Sequence, residues 1–547
     1  MSNEPAEAID SYDALPYPAL SFVQTHPSRM AVAATVLGMS PAPVDHCRVL
    51  EIGTALGANL IPMAEVLPNS EFVGIDLSAR EIAMAEEGLA ASGAKNVRFI
   101  RMDLCDLDDS FGLFDYIIVH GVYSWVPRHV RERLMEVCKE RLAPNGICYV
   151  SYNTYPGWHH LQAVREAMLY RIRNVVDVAD RVPAALGFID LMMRVAESGA
   201  NHAVAFLDWF QVRLKETNEV GGGSSYAFLF HDELAEVNDP VYFHEFVEHA
   251  ETNGLQYLCE ASMSAPPSAA SADDIQEITS YAEDFVDAEQ YLDHAINRMF
   301  RMSLLCHDGI AVQRPIRPRA GLLTSLGVTS DAKVLDSEPG DAERKIVRYG
   351  AGAGGSAQIA FNHPVSKASF DYLRAITPRI VPFPVLFAEA RARAAADGSN
   401  EDALVDEAVL TQNLLQAANR GRDFVSLWAY DPPAAVIVPE RPLVLPYARY
   451  TAGQPSGHNL TTLRHERAEL PPLAVSLIPF LDGQRDHSQL LAILEGFTRD
   501  GVIVPKEFAD EGAEPPSLAS LLDEVLSALT KYGLLVDPER LAYWNIT

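Results

Sequence analysis

Basic residues are scarce in this chain. Its 547 residues hold 43 lysines and arginines against 74 aspartates and glutamates, a formal net charge of −31. Such a chain is repelled by nucleic-acid backbones and by anionic membrane surfaces, and its acidity suits basic or lysine-bearing partners. Cysteine is sparse too. Cys47, Cys105, Cys138, Cys148, Cys259 and Cys306 form no Cys-x-x-Cys pair and lie mostly among apolar residues. They read as reduced core residues in a reducing compartment. Long apolar runs are missing, and none approaches the ~20 residues that cross a bilayer. The opening MSNEPAEAID lacks a basic stretch followed by an apolar run, so no signal peptide is expected. These absences together predict a cytoplasmic protein with no membrane insertion and no nucleic-acid partner. A metal site is not expected either. His244-Glu245 and His249 stand five apart, whereas a zinc-binding helix needs its histidines four apart on one face.

What is present is a chain able to bury several cores, with 48% hydrophobic and 21% charged residues. The length predicts roughly three to four domains. Residues 1–47 read as a lead-in and lid. Residues 48–159 alternate strand and helix: RVLEIG (48–53), EFVGIDL (71–77), VRFIRMDL (97–104), FDYIIVHG (114–121) and ICYVSYN (147–153) are the strands. Apolar strands separated by helices predict a parallel sheet covered on both faces, an α/β Rossmann-like fold. Residues 160–220 have a helical pattern, and GGGSS (221–225) marks a loop. Residues 221–335 form a middle region: helices, the short strand LQYLCEA, then further helix over 273–310. Residues 336–547 are mostly helical, a small helical or winged-helix module, after YGAGAGGSA (349–357), which reads as a turn between strands.

The strongest local signal runs from Glu51 through Gly53, Ala55 and Gly57 to Asn59. A buried strand enters a glycine-rich turn and then a helix, where backbone can approach a ligand closely. A dinucleotide site would show Gly-x-Gly-x-x-Gly. Here the pattern is Gly-x-Ala-x-Gly with Glu51 just before it, which favours a smaller, cationic nucleoside. Glu51 suits the ammonium of S-adenosylmethionine, directly or through water. Asp76, followed by Leu77, ends the second strand and can accept from both ribose hydroxyls. Asp103, with the Leu104 backbone, ends the third strand and can reach the adenine edge. Three acids at three successive strand ends are far more specific than a lone glycine loop.

These residues resemble class I S-adenosylmethionine-dependent methyltransferases. More narrowly, the chain resembles a bacterial family that carries a methyltransferase regulatory domain and includes the rickettsial lysine methyltransferases of outer-membrane proteins. The matching stretches are Tyr12-Asp13 and Pro16-Tyr17, EIGTALGANLIP (51–62), GIDLS (74–78), DYIIVHGVYSWVP (115–127), SYNTYPGW (151–158), HDE (231–233), PVYF (240–243) and GLQYL (254–258). The resemblance is distinctive over about 10–265 and weaker beyond. Ala55 departs from it, since many class I enzymes have glycine there.

Methyl transfer is an in-line displacement that needs alignment and desolvation more than acid–base power. A lysine acceptor must first lose its proton. Two segments leave the sheet on the edge that carries the glycine turn. The first holds His120, Tyr123 and Trp125; the second holds Tyr152, Asn153, Tyr155 and Trp158. His120 could accept a proton or orient water, and could also border the cofactor. Tyr123 and Tyr155 could line an aromatic acceptor pocket, and Asn153 could hold an amine or the cofactor carboxylate. Tyr152, Trp125 and Trp158 could contact substrate, although the two tryptophans suit packing equally. Tyr12 could close over the cofactor. The resemblance implies a protein-lysine substrate and a homodimer, with 160–217 as the expected dimerisation segment. A small-molecule or peptide natural-product methyltransferase, or a silent cofactor-binding scaffold, are the alternatives.

Overall fold

The computed structural model describes residues 17–199, 203–220, 226–262, 271–314, 316–351, 357–399, 401–421, 424–454, 460–501 and 515–541. Tyr12 and the rest of 1–16 lie outside these residues.

The short apolar segments of the first half become a sheet because the inner ones are buried on both faces, while the edge segment Val97–Arg101 alternates buried and exposed residues. Strands β1 (Arg48–Ile52), β2 (Glu71–Asp76), β3 (Val97–Arg101), β4 (Phe114–Val119) and β5 (Leu142–Asn153) pair in parallel. Val49 stands opposite Phe72 on one side and Tyr116 on the other. Helices α1 (Pro27–Val36), α2 (Leu60–Val66) and α3 (Ala79–Ser92) cover one face, and α4 (Arg128–Arg141) covers the other. Ser78 caps α3 at its start, and Gly93 ends it in the left-handed conformation at φ +74°.

The sheet does not stop at residue 159. After α5 (Trp158–Ile172), α6 (Val178–Ser198), α7 (Ala203–Val220) and α8 (Phe243–Thr252), the chain returns as β6 (Leu255–Glu260). Helices α9 (Ala272–Thr279) and α10 (Phe285–Ile296) then lead to β7 (Phe300–His307), which inserts antiparallel between β5 and β6. The strand order is β3-β2-β1-β4-β5-β7-β6. Residues 300–307, expected to be helical, are therefore an inner strand. Buried Arg301 and Ser303 interrupt the apolar pattern that would have marked it.

The order reverses between β1 and β4. In such sheets the ligand crevice opens there, beyond the carboxyl ends of the strands. The sequence places its glycine turn at that point.

The remaining chain mixes helices with small sheets. Strands β8 (Gly327–Thr329), β9 (Lys333–Val334), β10 (Val347–Ala351) and β11 (Ala357–Phe361) come first, and β10 and β11 pair antiparallel; residues 352–356 of the turn expected at 349–357 lie outside the described residues. Helices α11 (Pro364–Ile376), α12 (Phe383–Ala396) and α13 (Ala403–Arg420) pack around them, with β12 (Val381–Pro382) and β13 (Ser426–Trp428) flanking β8. Last come α14 (Pro446–Ala452), the hairpin β14 (Leu460–Thr461) and β15 (Arg467–Ala468), and α15 (Pro472–Leu477), α16 (His487–Arg499) and α17 (Leu518–Lys531). One hydrophobic core runs without a break from α1–α3 into this second half, through residues such as Ile61, Tyr447 and Leu463.

Candidate active site

The turn after β1 is strained into shape. Gly53, Ala55 and Gly57 all have positive φ, at +76°, +46° and +70°. A Cβ on Gly57 would lie 2.5 Å from the Phe99 ring, and one on Gly53 would lie 2.6 Å from Val122. Ala55 carries a side chain in a conformation that costs of order 1 kcal/mol. Its N–H is held at 2.9 Å by Asp76 Oδ2, while Asp76 Oδ1 accepts from the Ser78 N–H at 3.0 Å. Asp76 thus braces the turn from the end of β2. Burial raises its carboxyl above the usual range, and backbone N–H groups offset part of that rise. A carboxylate has about four lone-pair sites, so acceptor capacity remains for a ribose hydroxyl beside the backbone N–H groups of Ala55, Ser78 and Leu77. Leu77 is 38% exposed beside it, which leaves an apolar surface that a nucleoside can cover. Asp103 stands exposed at the end of β3, accepting from the Cys105 N–H at 2.9 Å, with Leu104 buried behind it.

Glu51 is 3% exposed. Oε1 accepts from Asn59 Nδ2 at 2.6 Å and Oε2 from Thr54 Oγ1 at 2.8 Å. Both donors are neutral. Burial therefore pushes the carboxyl up to about 7; the Asn59 and Thr54 bonds pull it down, and nearby Asp76 pushes it further up. A buried carboxylate held by two neutral donors is a socket for a cation, and an α-ammonium fits it.

The side chain of Asn59 is taken up within the protein. Its Nδ2 donates to Glu51 and to Thr25 Oγ1, while its Oδ1 accepts from the Phe22 N–H at 3.0 Å and from His465 Nε2 at 2.9 Å. Both N–H groups are used. Asn59, expected as a cofactor contact, here supports Glu51.

His120 follows β4. Its ring lies tilted against Phe22 at 3.8 Å between centroids, and Nδ1 lies 2.9 Å from the Tyr149 hydroxyl. Phe300 approaches edge-on. Burial pushes the imidazole down to about 4, so it is neutral at physiological pH and a weak proton acceptor. Asn153 is buried on the same strand face as Tyr149, with Nδ2 donating to Asn238 Oδ1 at 3.1 Å. Tyr155 is half-buried, stacked on His159 at 4.1 Å and next to Tyr242 at 5.3 Å.

Four residues expected on the acceptor side pack against other parts of the protein. Tyr123 is enclosed by Tyr152, Phe246 and Arg131, and its hydroxyl meets His249 Nδ1 at 2.9 Å. Tyr152 stacks on Phe246 at 3.9 Å and bonds Ser303. Both belong to the core beneath α8, because alternation along β5 sends Tyr152 to the face opposite Tyr149. Trp158 is 3% exposed within the helical cluster of α5–α7, with Trp125 edge-on to it at 6.2 Å. These rings pack. His249 also meets Glu132 Oε2 at 2.9 Å, and His244 meets Gln290.

Sequence reasoning missed Thr54, Phe22, Tyr149 and His465. Thr54 lies inside the motif, and Tyr149 shares strand parity with Ser151 and Asn153, so both were within reach. Nothing local flags His465, which is 406 positions from Asn59.

Comparisons with known proteins agree with this geometry. A methyltransferase-domain family model matches residues 50–148, a predicted methyltransferase regulatory domain matches 225–307, and the C-terminal winged helix domain of PKMT matches 440–534. The uncharacterized protein RP789 of Rickettsia prowazekii is 37% identical over 305 residues, covering 56% of this chain and 54% of that protein, about half of its length. The uncharacterized protein RP028 of the same organism is 33% identical over 248 residues, covering 45% of this chain and 96% of that protein. The solved structure of PKMT2 from Rickettsia typhi in complex with AdoHcy is 25% identical, with a TM-score of 0.78 over 95% of this chain and 100% of that one. The strained turn, the cation socket at Glu51 and the acid at the end of β2 fit S-adenosylmethionine, and the chain belongs to the class I S-adenosylmethionine-dependent methyltransferases, in a form that resembles the rickettsial PKMTs.

Proposed function

We propose that this enzyme transfers a methyl group to the side-chain amine of a protein lysine. The single observation that carries the reading is the pairing of this cofactor site with the two further domains that the rickettsial PKMT relative shares over nearly its full length. A small acceptor needs no such platform, whereas a protein does. S-adenosylmethionine supplies a methyl group on a sulfonium sulfur, ready for in-line displacement. Glu51 would hold its ammonium, Asp76 its ribose, and Asp103 with the Leu104 backbone its adenine.

The protein's own residues would then prepare the acceptor. Phe22, His120 and Phe300 form an aromatic wall at the ends of β4 and β7, which excludes water and favours the neutral amine. His120, neutral at physiological pH, can accept a hydrogen bond from that amine. Asn153 and Tyr155 stand at the end of β5 as further acceptor contacts. The surplus of acidic side chains draws in a lysine-rich protein.

We also propose a homodimer through α5–α7. Six large apolar side chains are exposed there: Tyr170, Val176, Leu191, Val195, Trp209 and Val212. A second copy would cover them.

The test is incubation of the full chain with labelled S-adenosylmethionine and lysine-rich unfolded proteins, with methylated residues located by mass spectrometry. Label on lysine is the expected result. Label only on small molecules or on other residue types would sink the reading and favour the natural-product alternative.

A further inference from the structure

Helix α2 begins at the glycine turn, and the C-terminal part of the chain grips it at both ends. At the far end, the buried carboxylate of Glu65 accepts from the Tyr447 N–H at 2.8 Å, in the first turn of α14. At the near end, Asn59 immediately precedes the helix and meets His465. His465 lies in the tight turn between β14 and β15 and is 2% exposed. Its φ of +59° is left-handed, a conformation that a non-glycine residue keeps only when its surroundings hold it there. The hairpin is docked around it. Thr461 Oγ1 donates to Ser21 Oγ at 2.8 Å, and Arg29 reaches Glu466 at 4.0 Å. His26 lies against His465, with ring centroids 5.3 Å apart.

The direction of each hydrogen bond follows from chemistry. Glu51, when ionised, only accepts, so the Asn59 group facing it is the amide NH2. Asn59 Oδ1 must then face His465, and the proton sits on Nε2 of that imidazole. Burial pushes the His465 ring down to about 3, which keeps it neutral. The chain reads His465 Nε2–H to Asn59 Oδ1, then Asn59 Nδ2–H to Glu51 Oε1.

We propose that His465 is a positioning residue of the cofactor site, through which the C-terminal winged-helix module fixes Asn59 and so sets the Glu51 carboxylate. The far end of the chain thereby completes a site that begins at residue 51. The inference rests on the assignment of Glu51 to the cofactor. Positioning by the hairpin and protection of the hairpin by cofactor are two sides of one coupling, since linkage is reciprocal.

The experiment measures S-adenosylhomocysteine binding to the full chain by calorimetry, with thermal stability recorded for each protein. His465→Leu fills the space but cannot donate. It is expected to weaken binding about tenfold, the size of one lost hydrogen bond to a buried polar group. His465→Gln places an amide N–H where Nε2 stood and is expected to bind within about threefold of the unsubstituted protein. A purely structural role would lower the melting temperature of both variants alike and leave their affinities equal. In the unsubstituted protein, hydrogen exchange across 460–468 is expected to slow several-fold on adding S-adenosylhomocysteine, which tests the coupling even where a variant fails to fold. Unchanged exchange in that hairpin, or equal affinity of the two variants, overturns the proposal. Glu51→Gln separates the layers. If it loses affinity while His465→Leu does not, the proposal fails alone; if it binds normally, the assignment of Glu51 fails and takes the proposal with it.

Discussion

Replacing Glu51 by glutamine should stabilise the free protein while damaging its cofactor site. The Glu51 carboxyl is raised from an ordinary 4.5 to about 7, chiefly by burial. Each tenfold change in ionisation is worth about 1.4 kcal/mol, so holding Glu51 ionised in the folded protein costs on the order of 3 kcal/mol. The sign follows directly. Below pH 4.5 the group is protonated folded and unfolded, and no cost arises. As pH rises from 4.5 to 7 the unfolded chain gains by ionising while the folded protein keeps its proton, so stability falls; above 7 the loss is complete. Glutamine accepts from Asn59 in the same way, and the Thr54 hydroxyl can rotate to accept from its amide. The substituted protein should therefore match the original near pH 4.5 and exceed it by up to about 3 kcal/mol at pH 8. Denaturant melts of both proteins at the two pH values measure this, and Glu65, also raised to about 7, cancels in the difference. A gap that is the same at both pH values, or a less stable glutamine protein at pH 8, would refute the reasoning. A cation in the socket pulls the Glu51 proton off, so S-adenosylhomocysteine affinity should rise with pH up to about 7 and then level, and the glutamine protein should show no such rise.

Gly57→Ala should abolish cofactor binding, because its Cβ would lie 2.5 Å from Phe99 at φ +70°; equilibrium dialysis with labelled cofactor checks it. Arg301 is fully buried and pairs with buried Asp293 and part-exposed Glu260 and Glu289 at 2.7–3.0 Å, so Arg301→Ala should cost about 3–5 kcal/mol by removing the cation shared by the buried Asp293 carboxylate and its two neighbours, as read from denaturant melts. Val195→Asp together with Trp209→Asp should convert a dimer to a monomer by light scattering with the melting temperature little changed, since both side chains are exposed.

Much of the first half was legible because its signals are local. The runs 48–53, 71–77, 97–104 and 114–121 gave strands within a few residues of those observed, and Gly93 ended its helix as read. The acids at 51 and 76 could be placed because strand ends in such sheets face the crevice. Position was less legible than identity. Asn59 sits in the motif but its side chain is taken up within the protein, a matter of hydrogen-bond saturation that spacing does not reveal. Tyr123 and Tyr152 lie in loops and strand ends that suit a pocket, yet parity along β5 buries Tyr152 on the opposite face from Tyr149. β7 escaped notice because Arg301 and Ser303 are buried by ion pairs and hydrogen bonds rather than by apolar character. The His465–Asn59 contact joins residues 406 positions apart, and only the folded chain brings them together.

The most direct measurement is a calorimetric titration of S-adenosylhomocysteine into the unsubstituted protein and into Asp76→Ala. Saturable one-to-one binding is expected for the first, with a loss of about 100-fold for the second, the size of one strong hydrogen bond to a charged acceptor. No binding by the first, or equal binding by both, would contradict the placement of the nucleoside at the end of β2.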